Sequence, residues 1–376
     1  MAKVSVEPRM LKWAFLRSAR SQAQLEKAFP QATSWFDGSH MPTFEQLEDF
    51  AAFTYTPVGY FFLENPPEEE PQIPFCSTTD LGKNPTLSIN LAETIQIMQA
   101  RQDWMRDYLL DEEAAPLDYV GSLSLGLPST SAATEIREQL KLPANWPTIY
   151  STWEETQKAM QAAIEKIGIT LIINGIVGND TQRRLNPNEF RGFVLTDDYA
   201  PLLFINGADS RGEQLFTLAH GLAHIFLGQR AIFHPEDVHH GKEKMERKCE
   251  EIAAEFLVPK LEFGTAWKVA ADPYNFAELA RQLKVSEQVV ARRALDLGYI
   301  GKGDFFESYQ ELIHQDDSED AYDNDRKNQV GKLFGERIIA ATRGGKMLYL
   351  EAYRLTDLYG AEFEEFVASL DQDDQF

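Results

Sequence analysis

Cysteine is nearly absent: Cys76 and Cys249 are the only two. That excludes a disulfide-stapled scaffold and fits a reducing compartment. No apolar run approaches the roughly 18 residues a membrane span needs. The stretch from Met1 to Arg9 has no apolar h-region, so no signal peptide is expected. A cytoplasmic protein without a membrane partner is the expectation. Positive charge is also short, with 36 Lys and Arg against 59 Asp and Glu, a net charge of −23. Such a deficit argues against nucleic acid or anionic lipid bound over a large surface, while leaving room for a small basic module. Apolar residues are plentiful, at 43% of 376. That is enough for real cores and for two or three domains.

Residues 1–63 read as a helical module. Met10, Leu11, Ala14 and Phe15 form one stripe, Leu25 and Phe29 a second, and a later helix starts after Pro42-Thr43. Residues 64–80 open on a Pro-rich acidic run from Glu64 to Pro74, which reads as an extended linker. A helical connecting region follows over 81–150, with one long helix carrying Leu91, Ile95, Met98 and Trp104. From 151 to 262 the pattern becomes α+β. Strands are expected at 169–173, 192–195 and 200–205, and helices at 159–167, 213–227 and 243–258. Residues 263–314 are helical again, 315–328 form an acidic spacer, and 329–376 are C-terminal helices. The fold class is thus α+β. A small mixed sheet and its helices are flanked by an all-helical N-terminal module and a helical C-terminal region.

The chemistry concentrates in Phe216-Thr-Leu-Ala-His220-Gly221-Leu-Ala-His224. His220 and His224 lie four apart in a helical pattern, so both imidazoles leave one face and can reach one tetrahedral ion. A zinc site of this kind needs a third protein ligand. In the next helix, Met245, Cys249, Ile252, Ala253, Phe256 and Leu257 form the expected buried stripe. Glu246 falls about 60° from its centre and Glu250 about 100°. A carboxylate so near the core needs a partner, and a metal ion is one. An acidic residue favoured by the helix dipole is the other reading. Glu246 is the third candidate ligand and Glu250 its alternative or outer support. Ala200-Pro201-Leu202-Leu203-Phe204-Ile205 is a candidate sheet edge for an extended peptide substrate, with an internal strand as the competing reading. His234, His239 and His240 lie in a following loop, where an oxyanion or substrate role competes with mere exposure. Cys76 and Cys249 read as packed apolar residues without a redox role.

Three segments in order carry a family resemblance. They are Phe190-Arg-Gly-Phe-Val-Leu to Asn206, then Phe216 to His224, then Glu246-Arg-Lys-Cys-Glu-Glu-Ile-Ala-Ala-Glu-Phe-Leu-Val-Pro259. The chain resembles the ImmA/IrrE-type metallopeptidases, HExxH zinc proteases of bacteria that typically cleave a partner transcriptional repressor. The resemblance implies zinc held by His220, His224 and Glu246, zincin-like active-site helices, and a repressor or antitoxin as protein partner. It also implies a role in transcription regulation of the toxin–antitoxin or phage-defence kind. Residues 1–63 resemble the degenerate Xre-type helix-turn-helix often fused to such peptidases, and Leu279–Gly298 is similar to the helical tail that follows them. Six basic residues (Lys3, Arg9, Lys12, Arg17, Arg20, Lys27) face Glu7 and Glu26 in the first 30 positions. The expected reading helix, Gln31–Asp37, has no Lys or Arg. DNA binding and a docking role both stay open for this module.

The departure lies at Gly221, where the resemblance calls for Glu, the general base that takes a proton from the attacking water. Glycine costs a helix interior about 1 kcal/mol relative to alanine. Loss of a general base typically costs about 10²–10⁴-fold in rate. Three accounts are open: an inactivating replacement, a natural pseudo-peptidase, or Glu250 standing in as base. The expectation is a zinc-peptidase-like regulator with hydrolysis crippled at Gly221. Its alternative is a non-catalytic regulator that binds a partner protein or DNA.

Overall fold

The computed structural model describes residues 3–18, 20–67, 87–143, 145–233, 244–270, 272, 274–305, 312 and 326–373. Cys76, His234, His239, His240, residues 68–80 of the linker and residues 315–325 of the acidic spacer lie outside them. The chain divides into two compact units, one of residues 1–72 with 80–95, the other of residues 73–79 with 96–376.

Among the described residues, the first unit holds helices α1 (Pro8–Arg17), α2 (Gln22–Ala28), α3 (Ala32–Phe36) and α4 (Phe44–Phe53), a 3-10 turn at Val58–Phe62 and the first residues of a long helix that begins at Ile89. Ser21 with Gln24, and Thr43 with Gln46, close capping boxes that start α2 and α4. Met10, Leu11, Leu25, Trp35, Leu47, Phe50 and Phe61 form its core. The reading helix expected at Gln31–Asp37 is the five-residue α3, and Ala32 and Trp35 are buried in that core.

The second unit is mixed α+β. After α5 (Ile89–Asp111), α6 (Ser129–Gln139) and α7 (Trp153–Lys166) come β1 (Thr170–Asn174) and the short pair β2 (Ile176–Val177) and β3 (Asp180–Arg184). Then follow β4 (Gly192–Leu195), β5 (Leu202–Asn206), α8 (Arg211–Phe226), β6 (Ala231–Phe233) and α9 (Lys244–Leu257). The sheet order is β1-β5-β4-β6, with β1 parallel to β5 and the other two pairs antiparallel. On one face the rings of Phe193 and Phe204 stack 4.8 Å apart. On the other, Val194, Leu203 and Ile205 share a core with Leu215, Leu218 and Leu222 of α8.

This order corrects one expectation. The stretch Ala200–Ile205 is not a sheet edge: β5 pairs with β1 on one side and β4 on the other, and every residue of the strand is buried. Its continuous apolar run is the mark of a strand enclosed on both faces. The outer strands of this sheet are β1 and β6.

Helix α10 (Lys260–Val269), α11 (Phe276–Leu283) and α12 (Glu287–Asp296) follow, then α13 (Arg326–Val330), α14 (Lys332–Arg343), α15 (Tyr349–Thr356) and α16 (Ala361–Asp373). Positions 326–328, expected as spacer, are the first residues of α13. α12 is buried from Gln288 to Ala294 and packs against α8, so this part of the helical segment 263–314 is a core element. Arg101 of α5 binds the carbonyls of Gln329, Val330, Leu355 and Thr356, satisfying the ends of α13 and α15. Gly331 has φ +88°, and a Cβ there would lie 2.8 Å from the Leu171 carbonyl oxygen, so the turn into α14 requires glycine.

Glu165, near the end of α7, accepts a hydrogen bond from the Leu333 N–H at the start of α14. Burial pushes its carboxyl up to about 7, against that hydrogen bond and the charge of Lys332. The folded protein therefore holds the proton more tightly than the unfolded chain, whose carboxyl titrates near 4.5. Stability from this group is fully present below about 4.5 and is lost as pH rises to about 7. Glu165→Gln should flatten that slope and stabilise the protein at pH 8 by about 1–3 kcal/mol. Chemical denaturation across pH 4–8 checks it, and an unchanged slope contradicts it.

Candidate metal centre

α8 is buried at every position from Gly212 to Phe226. A helix enclosed on all sides has no solvated face on which to leave polar groups. Ser210 caps its start by accepting from the Glu213 N–H. Glu213, itself 2% exposed, is held by Arg191 and Arg292. The Arg292 guanidinium lies 3.9 Å from the centroid of the Phe216 ring, which meets His220 edge-on. This buried charge network fixes the helix about two turns before the histidines.

His220 and His224 do leave one face. Their rings stack 4.9 Å apart at 8°, and their Nε2 atoms are 2.9 Å apart. Phe233 of β6 flanks both rings, at 4.8 and 5.2 Å between centroids. Glu246, in the first turn of α9, closes the triangle. Its Oε2 is 3.1 Å from His220 Nε2 and its Oε1 is 3.3 Å from His224 Nε2. Glu246 is 2% exposed and His224 fully buried. Met245, expected in the buried stripe, is only half-buried, so the inward face of α9 is rotated toward the carboxylate. Glu250 is half-buried one turn on, and it is Glu246 that meets both histidines.

Burial pushes Glu246 up, but its hydrogen bond with His220 and the closeness of both imidazoles outweigh it and hold the carboxyl below the usual range. Burial drives His220 the other way, favouring its neutral form, with the charges of His224 and Arg292 adding to that and Glu246 opposing it. Neutral imidazole and ionised carboxylate are the forms that ligate a metal.

The spacing fits such an ion. Zinc–nitrogen and zinc–oxygen bonds of about 2.0–2.2 Å put tetrahedral ligand atoms about 3.3–3.6 Å apart. The three separations here, 2.9, 3.1 and 3.3 Å, are slightly tighter than that. Without a cation, three lone-pair donors converge with too few protons among them to satisfy each pair. Glu246 Oε1 has no hydrogen-bond partner among the described residues, since its approach to His224 is not a hydrogen bond. His224 Nδ1 is likewise buried without one. Orphaned polar atoms of this kind are costly unless something unseen satisfies them. His220, His224 and Glu246 are therefore the residues that could hold a divalent ion.

Two features of the site escape sequence reasoning. Cys249 is fully buried, as its apolar reading requires, but its Sγ lies within 4.8 Å of a ring nitrogen of each histidine. The i, i+3 spacing from Glu246 was the available signal. The other is Leu203. A Cβ on Gly221 would lie 2.3 Å from Leu203 Cδ1, so this leucine of β5 occupies the space where a residue-221 side chain would start. That contact is tertiary, and no local pattern announces it.

Comparison with known proteins gives a family match over this part of the chain. No curated protein and no solved structure matches the chain. Residues 330–369 match a domain of unknown function (DUF8813). Residues 164–295 match the IrrE N-terminal-like domain, and the sheet, both histidines, Glu246 and the helices that carry them lie within the matched segment.

Proposed function

We propose that this chain is a peptidase-like regulator that binds zinc through His220, His224 and Glu246 and engages a partner protein of the repressor or antitoxin kind. Peptide hydrolysis is disabled at residue 221. The observation that carries the reading is the convergence of three buried donor atoms at 2.9–3.3 Å beside a helix position that has no side chain. Zinc, when bound, would supply a cation that ties α8 to α9 through these side chains. The chain's own residues supply the rest. Phe233 orients the two imidazoles. The Arg191–Glu213–Arg292 network holds α8 in register. Gly221 has no side chain to accept a proton, and Leu203 fills the space beside it.

Leu203 is fully buried and fills the space against the glycine, which fits a natural pseudo-peptidase and an inactivating replacement equally. Glu250 as substitute base gains no support, since it lies on the ligand helix a turn beyond Glu246.

Incubating the zinc-loaded full-length chain with the protein encoded beside its gene tests the reading. The expected result is stable co-elution with the partner intact by mass spectrometry. Zinc-dependent fragments would show an active protease and overturn it.

A further inference from the structure

We infer that Cys249 is a fourth protein ligand, so that this metal centre is closed by His220, His224, Glu246 and the Cys249 thiolate. The inference deepens the proposed function and rests on its zinc site.

A hydrolytic zinc site keeps one position free of protein, whereas a structural site fills all four with side chains. Cys249 is placed to fill it. It follows Glu246 by three residues on the inward face of α9, so both project toward α8. It is fully buried, and its sulfur lies within 4.8 Å of a ring nitrogen of each histidine. In a tetrahedral zinc site with legs of about 2.3 Å to sulfur and about 2.0–2.1 Å to nitrogen, that separation is about 3.5 Å. A side-chain adjustment of about 1 Å closes the difference, within the range of a small χ1 rotation.

An independent observation points to a cation at this spot. The Glu246 carboxylate is 2% exposed, and its Oε1, aimed into the cluster, has no hydrogen-bond partner among the described residues. The chemistry of residue 221 agrees. Where no general base exists, an open metal position has no hydrolytic use, and a fourth ligand there interferes with nothing. Coordination forms one zinc–sulfur bond and releases the thiol proton to solvent, with no change of oxidation state. Two histidines, a carboxylate and a thiolate also form a softer set than a His₂Glu site, favouring zinc over oxygen-seeking ions.

X-ray absorption on the full-length, zinc-loaded protein tests this. The expected result is one sulfur scatterer at about 2.3 Å beside nitrogen and oxygen at about 2.0–2.1 Å. In Cys249→Ser the sulfur shell should vanish and zinc affinity should fall by at least about tenfold, since even an outer partner of a ligand is worth that much. Cobalt substitution gives a second reading on the unmutated chain, as a sulfur-to-cobalt charge-transfer band. Stoichiometric zinc with only nitrogen and oxygen neighbours would overturn the role of Cys249 and leave the three-ligand site standing. No stoichiometric zinc at all would overturn both.

Discussion

Replacing Gly221 with glutamate, the residue that would restore a general base, is expected to destabilise the protein by about 1–5 kcal/mol. The new Cβ alone would lie 2.3 Å from Leu203 Cδ1. Leu203 cannot swing into solvent, because it is fully buried on a strand paired on both sides. Overpacking of this kind costs about 1–3 kcal/mol. The carboxylate adds a desolvation cost of about 1–3 kcal/mol or more in a helix enclosed all round. Helix propensity returns only about 1 kcal/mol. Leu203→Ala should relieve the clash. The double variant Leu203→Ala/Gly221→Glu should then be more stable than the sum of its single changes requires, by about 1 kcal/mol or more. Urea unfolding of the four proteins measures this coupling. Additive effects would mean that Leu203 does not occupy that space. The relieved double variant is also the proper form in which to look for restored cleavage, since the single change confounds chemistry with folding.

The second large effect concerns the metal. At a free zinc concentration about 100-fold above Kd, the folded protein should gain about 2.7 kcal/mol. For a unit of this size that raises the melting temperature by about 5–10 °C. His224→Ala should abolish the gain. Its Nε2 meets both other donors, and α8 offers no other donor on that face, one turn in either direction, except His220. Scanning calorimetry with zinc and with chelator separates this from any loss of packing, because only the metal-dependent part of the shift reports on the site. An undiminished zinc response in His224→Ala would remove that residue from the ligand set.

Much of this architecture can be read along the chain. The strand at 192–195 and the helices around His220 and Glu246 follow from hydrophobic period and length. The inward turn of Glu246 follows from 100° per residue, since a carboxylate within about 60° of a buried stripe has little water to meet. The missed elements lack that kind of signal. β3 reads Asp-Thr-Gln-Arg-Arg, with four of five residues exposed, and β6 is three residues long. Neither fills a periodicity window. The place of β5 in the sheet was half legible. Leu202 to Ile205 is an unbroken apolar run, which argues for enclosure, yet the pairing order that encloses it is set by β1, more than 25 residues earlier. Cys249 was hidden by its own suitability, because a small apolar side chain in a buried stripe needs no further explanation until its neighbours are known.

The central claim is that two imidazoles and a carboxylate are gathered on one divalent ion. Equilibrium zinc titration of the purified full-length chain against a chromophoric chelator tests it most directly. About one zinc ion per chain should be retained against the chelator, and His220→Ala, His224→Ala and Glu246→Ala should each lose it. Failure of the wild-type protein to retain zinc, or retention of it by all three variants, would contradict the account.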